Sequence, residues 1–300
     1  MWNFATSTPL AWGRFMPSVK QVKIYNFTDP MMGLSYESEP FFRQLDTHFG
    51  RQVALHFVMG GLVRDVADFM IGDDFKDGKE HAFKRYNARL AKIYEAEQVI
   101  SGMPIKMDRL ALFDETHTSS LPLNLAFKAV ESIHPSLAEP FLYRLRFATI
   151  VEQAMTTDER VLADVATQTG IAKEAFFKAY HSDTVKHALQ NDFDLRTKWG
   201  IRALPAYLFC YGDRQILKTG VLDFDGFASI IRQISDGQIM PTTPTLNTAT
   251  LHHFLQKRSL VSLTEIRHAF DLADNQAVQK WLGKIEQNWR WFDEEFLMLE

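Results

Sequence analysis

The chain has 300 residues, 46% of them apolar, 23% charged and 13% aromatic. That is enough to bury a large core in roughly two domains of about 150 residues each, and too apolar for global disorder. Thirty-three basic against thirty-seven acidic residues leave a formal charge of −4, too balanced for the broad cationic surface that phosphate-dominated nucleic-acid binding needs.

The stretch MWNFATSTPLAWGRF lacks a positive segment followed by a continuous apolar run. No window approaches the ~20 apolar residues of a membrane span, so a soluble, cytoplasmic protein with no membrane partner is expected. Alternation of Val22 and Ile24 up to Phe27, and of Val53, Leu55 and Phe57, predicts half-buried strands over 21–27 and 51–58. Between them Leu34, Phe41, Phe42, Leu45 and Phe49 recur at helical spacing, with Ser35 as the expected cap and Glu37 and Glu39 near the positive end of the dipole. Pro40 should kink or delay this helix.

After Gly60-Gly61 helical periodicity takes over, with helices predicted over 79–100, 122–133, 137–155, 158–169, 172–181 and 182–199. AYLFCY (206–211) and RQILKT (214–219), joined by Gly212-Asp213, read as a hairpin, followed by a helix over 224–235. The segment 236–250, with two prolines and five threonines, reads as a linker. Beyond it, helices over 248–257, 263–271 and 274–287 and an aromatic strand pair over 289–299 follow the order of a winged helix-turn-helix.

The run Phe27-Thr28-Asp29-Pro30-Met31-Met32-Gly33-Leu34-Ser35-Tyr36-Glu37-Ser38-Glu39-Pro40 resembles the F-x-D-P-x-C-x-x-C-W-x-x-E-P signature of FrnE-like and Clp-adaptor-like members of the DsbA branch of the thioredoxin fold. Met59-Gly60-Gly61-Leu62 and Gly200-Ile201-Arg202-Ala203-Leu204-Pro205-Ala206 resemble two further segments of that branch. The resemblance covers about residues 20–235. It implies an α/β thioredoxin-like domain over 1–240 with a large helical insertion over about 62–199, a small winged-helix-like domain over 247–300, and Pro205 as a cis-proline facing the active-site helix.

A thioredoxin-like enzyme works because the first CxxC cysteine sits at a helix N-terminus, where orphan N–H groups and the dipole stabilise a thiolate. Here Met32 and Ser35 hold the two positions. Neither can take part in thiol–disulfide exchange, although the name dithiol-disulfide isomerase goes with the family. In the related kappa-class glutathione transferases and chromene-carboxylate isomerases a serine works at the position of Met32, and a catalytic Ser35 would need a base that the neighbouring sequence lacks. Helix capping is the expected role of Ser35. Cys210, in mid-strand between Phe209 and Tyr211, reads as structural.

No cofactor is expected, and the scattered histidines give no metal-binding spacing. What survives the loss of thiols is recognition. Backbone beside Pro205 can pair with an extended segment of a polypeptide client, in a groove formed by Met31, Met32, Gly33, Leu34, Ser35, Leu204 and Pro205. Two open readings remain for Met31 and Met32: adaptable groove surface or packing against the helical insertion. Residues 246–300 carry six Lys or Arg against eight Asp or Glu, which favours protein docking or a structural role over DNA readout. The leading expectation is therefore an adaptor of the protease-delivery type, with a polypeptide client or a protease complex as partner. The alternative is a dithiol-disulfide isomerase or a glutathione-dependent transferase-like enzyme.

Overall fold

The computed structural model describes residues 21–256, 258, 260–285 and 289–298. The N-terminal stretch inspected above for a leader lies outside them, as do the ends of the helices expected over 248–257 and 274–287 and of the strand pair expected over 289–299.

The first two strands form as expected. β1 (Val22–Thr28) and β2 (Val53–Met59) pair in parallel, Val22 facing Val53 and Thr28 facing Met59. β3 (Ala206–Tyr211) runs antiparallel to β1 with Ala206 opposite Phe27, then turns through Gly212, at a φ of 58°, into β4 (Arg214–Thr219). The sheet order is β2-β1-β3-β4.

The helix expected between β1 and β2 is two helices, α1 (Gly33–Glu37) and α2 (Glu39–Phe49), parted at Ser38. Pro40 has no N–H to offer the carbonyl of Tyr36, so the ladder breaks where the kink was expected. The capping expectation for Ser35 fails. Met32, at φ −77° and ψ 120°, holds the N-cap position, and Ser35 lies inside α1 with its side chain fully buried.

α2 and a later helix, α9 (Phe224–Ile234), cover one face of the sheet, packing Phe42, Leu45, Phe227 and Ile231 on Val22, Ile24, Tyr207 and Phe209. The other face buries Phe27, Val58, Ala206 and Leu208. Between β2 and β3 comes the helical insertion, with α3 (Lys79–Glu97), α4 (Leu121–Ile133), α5 (Ala138–Ile150), α6 (Glu159–Gln168), α7 (Lys173–Tyr180) and α8 (Asp183–Lys198) around an apolar core that also takes in Met31, Tyr36, Met59, Leu260 and Phe296. α5 stops short of the expected residue 155, because the chain turns at Gln153, which takes a left-handed φ of 56°.

The C-terminal unit comprises α10 (Thr248–Gln256), β5 (Leu260–Ser262), α11 (Leu263–Ala269), α12 (Asn275–Leu282), β6 (Arg290–Phe292) and β7 (Phe296–Met298), with its strands in the antiparallel order β5-β7-β6. β5 is an addition to the sequence reading. α12 ends at Leu282, since Gly283 and its backbone entropy close the helix earlier than the expected 287. The unit has its own core around Leu251, Ile266, Val278 and Leu297. It is also fastened to the insertion, where Phe296 and Phe292 meet the Phe147 ring edge-on at 4.8 and 5.3 Å. Among the described residues no helix is long and apolar enough to cross a membrane.

Candidate functional site

The residues expected to form a groove gather where β1 and β2 end and β3 begins. Asp29 pins this end together. Its carboxylate is fully buried and accepts hydrogen bonds from the backbone N–H of Met31 (3.1 Å) and Leu62 (2.7 Å), from Ser120 Oγ (2.9 Å) and from Asn124 Nδ2 (2.8 Å). Burial nevertheless pushes its pKa above the ordinary value. The Gly60 N–H donates to the Thr28 carbonyl at 2.7 Å, and the Leu204 side chain fills the space beside Gly60. The Leu204–Pro205 peptide bond is cis. The Pro205 carbonyl accepts from Gly220 N at 2.9 Å, whereas the Leu204 N–H and carbonyl have no hydrogen-bond partner among the described residues.

Exposure separates the seven candidates. Met31 (2%), Met32 (5%) and Ser35 (0%) are buried, as are Gly33 and Pro205, while Leu34 and Leu204 are half-buried. Met31 packs into the core of the insertion, and its carbonyl accepts from the Tyr94 hydroxyl on α3. α3 lies so close over the start of α1 that a Cβ at Gly33 would overlap the Tyr94 ring and the Glu97 carboxylate. The accessible part of this end is therefore its rim, Leu34 and Leu204, with the Leu204 backbone.

Ser35 is wired downward. Its Oγ lies 2.7 Å from Thr28 Oγ1, which accepts from Arg146 Nη2 at 2.8 Å. Arg146 also donates to Glu39 (2.5 Å), and Glu39 accepts from Arg43 (2.7 Å). Arg43 reaches Glu139 and, in the C-terminal unit, Glu265, both at 2.9 Å. Glu265 closes the chain by accepting from Tyr143 (2.5 Å) and from the N–H of Ser262 (2.8 Å). A serine whose partner is a second hydroxyl held by an arginine has no base to take its proton, so the geometry gives Ser35 no nucleophilic role. Cys210 is no thiolate either, since burial pushes its pKa up. No group of three or more His, Cys, Asp or Glu side chains among the described residues could hold a metal ion.

Two more carboxyls lie at this end, one on the last residue of α1 and one on the last residue of α3. Glu37 Oε2 accepts from Ser101 Oγ (2.6 Å) and Ser101 N (3.0 Å), but its Oε1 is buried without a partner. Glu97 Oε2 is buried without a partner as well. Burial pushes both carboxyls up to about 7, and repulsion from Glu37 adds to the rise at Glu97.

The sequence reading passed over Arg43, Arg146 and Glu265. A signal existed for one of them: Ser262-Leu263-Thr264-Glu265 ahead of an apolar run is the capping-box pattern, and the box forms in both directions. It also passed over a cleft of about 380 Å³ lined by Arg64, Phe193, Arg196, Thr197, Ile201 and Arg202, which opens on the same end of the sheet. A second cavity of about 380 Å³ lies away from α1, between α2, α5, β2 and the C-terminal unit.

A four-stranded sheet with a cis-proline before its third strand and a helical insertion after its second defines a thioredoxin fold of the DsbA-like kind. The thioredoxin family profile matches residues 25–226, and the chain belongs to this family. The curated relatives include the ClpXP adapter protein SpxH of Halalkalibacterium halodurans, 24% identical over 89% of this chain and 83% of that protein. The ClpXP adapter protein SpxH of Bacillus subtilis is 25% identical over the same shares. Among solved structures, a protein disulfide isomerase candidate from Nitrosomonas europaea shares 18% identity over 72% of this chain and 96% of its own, with a TM-score of 0.57. The cytosolic disulfide reductase DsbM of Pseudomonas aeruginosa shares 15% identity over 78% and 98%, with a TM-score of 0.51. At these identities the solved structures speak for the fold alone.

Proposed function

We propose that the chain is a cytoplasmic adaptor that binds a polypeptide client and presents it to a Clp-type protease complex. The observation that carries this reading is the match to ClpXP adapter relatives over 89% of the chain, a span too long to be confined to the thioredoxin-family segment. The site agrees with it: Met32 and Ser35 leave no thiol to exchange, which disfavours the isomerase alternative. The unengaged Leu204 backbone offers main-chain hydrogen bonds to an extended segment, with Leu34 and Leu204 as apolar neighbours and Met31, Met32, Gly33, Ser35 and Pro205 as the floor beneath them.

We read the C-terminal unit as winged-helix-like from its order of helix, strand, two helices and two strands. Its helix α11 is held against α2 through Glu265 and Arg43, which supports a docking or structural role for the unit. Purified protein added to reconstituted ClpXP, with candidate clients drawn from proteins whose turnover slows when the chain is deleted, tests the adaptor reading. Client degradation that accelerates only when the chain is present supports it. Unchanged client half-lives in the deletion, together with insulin reduction by the purified chain, would point to the enzyme reading instead.

A further inference from the structure

Phe193, Arg196 and Thr197 stand on one face of the last turns of α8, Ile201 and Arg202 on the loop that follows, and Arg64 on the loop leaving β2; together they line the open cleft of about 380 Å³. Three of these six side chains are arginines and none is acidic. Arg196 is committed to the fold: it donates to the carbonyls of Gly60, Ile201 (3.1 Å) and Arg202 (3.4 Å). The other two are exposed. Arg64 lies over the Phe193 ring at 5.2 Å, and neither Arg64 nor Arg202 makes an ion pair among the described residues. Asp65, next to Arg64 in the chain, caps Ala67 N (2.9 Å), Asp29 is held by its buried hydrogen bonds, and neither forms an ion pair with Arg64 or Arg202 among the described residues. In a chain of net charge −4, two unpaired guanidinium groups facing one cleft form a local positive focus. Burial first, and then repulsion from Arg64, lower the pKa of Arg196 against the opposing pull of Asp29, so the arginines of the cleft sense one another's charge.

We infer that this cleft takes the side-chain carboxylates of an acidic segment of a bound polypeptide, with Arg64 and Arg202 as the groups that read them. Arg202 stands two residues before Leu204, a reach of at most ~7 Å along the chain. A segment paired with the Leu204 backbone therefore passes Arg202 with its next side chains, at the cleft that Arg64 also lines. In this form the inference rests on the Leu204 edge receiving an extended polypeptide. Guanidinium groups fit carboxylates with paired hydrogen bonds, which makes Asp and Glu the chemistry selected for.

The test uses the full chain and two short fluorescein-labelled, C-terminally amidated peptides, one alternating Val with Glu and one alternating Val with Gln, followed by anisotropy at low and high salt. The Val/Glu peptide should bind more tightly. The double variant R64Q/R202Q should weaken it by about tenfold or more and flatten its salt dependence, and R64E/R202E should abolish its advantage over Val/Gln. Both arginines are exposed, so circular dichroism of the variants should match the parent. Equal binding of both peptides, unchanged in R64Q/R202Q, overturns the cleft inference and leaves the Leu204 edge standing. Arginine-dependent binding that is equally tight for a Val/Glu peptide N-methylated along its backbone, which has no N–H to pair with the Leu204 carbonyl, supports the cleft and removes the edge from the account. Failure of both peptides to bind overturns both.

Discussion

Glu97→Gln isolates one buried carboxyl and gives it a measurable cost. The folded pKa of Glu97 is about 7 against an ordinary value of 4.5. Below about pH 4.5 the group is protonated in both folded and unfolded chains and costs nothing. As pH rises toward 7 the unfolded chain ionises first, so stability falls across that window and levels off above it. A shift of this size corresponds to about 3 kcal/mol at full burial, and to about 2 kcal/mol once solvent screening on the half-open side of Glu97 is allowed for. Glutamine keeps the shape and cannot ionise. Urea unfolding at about pH 5 and about pH 8, at matched ionic strength, should show the variant more stable than the parent by about 2 kcal/mol at the higher pH and much closer to it at the lower. Glu37, itself pushed up to about 7 by burial, keeps a slope of comparable size in the variant, so the variant should lose clearly less stability than the parent across the window rather than none. Parallel loss of stability in the two proteins across this window would refute the reasoning.

Gly33→Ala should destabilise the fold by about 1–3 kcal/mol in chemical denaturation, because the new methyl meets the Tyr94 ring and Glu97. Arg146→Met leaves Glu39 with one buried partner and Thr28 without its donor; a loss of about 3–5 kcal/mol is expected, seen as a lowered denaturation midpoint. Glu265→Ala removes the acceptor shared by Arg43, Tyr143 and Ser262, and limited proteolysis should then cut within 236–250 sooner than in the parent. Ser35→Ala should cost only about 1 kcal/mol and leave client binding by the chain unchanged in anisotropy titrations.

The elements that sequence periodicity reached are those whose partners are local. Pro40 announces the break between α1 and α2 because the missing N–H acts within one turn. Gly212 announces the β3–β4 hairpin by the same kind of short-range constraint. Ser35 misleads because a hydroxyl in a first helical turn resembles a cap, while its actual partner, Thr28, sits seven residues back on β1. Arg43 and Arg146 are invisible to amphipathic counting. A charged helical residue is read as solvated, and although Glu39 stands one turn before Arg43, the carboxylates that complete the burial, Glu265 for Arg43 and Glu39 for Arg146, stand 222 and 107 residues away along the chain. The cleft of Arg64, Arg196 and Arg202 escapes for the same reason, since two loops and a helix end supply it.

Those buried charges also decide where a partner can act. The side chain at the second CxxC position, Ser35, forms the end of a hydrogen-bonded path running through Thr28, Arg146, Glu39 and Arg43 to Glu265 of the C-terminal unit. Such a path repays its desolvation only while every member stays paired. Rearranging the floor of this end to admit a ligand would break charged hydrogen bonds reaching as far as the C-terminal unit. Displacing the side chains of Leu34 or Leu204, or moving those of Arg64 and Arg202, breaks no side-chain hydrogen bond among the described residues. On the proposed reading, recognition therefore belongs to the rim, and variants at Leu204 and Arg202 should change binding at little cost in stability, whereas variants at Arg146 and Glu265 should not.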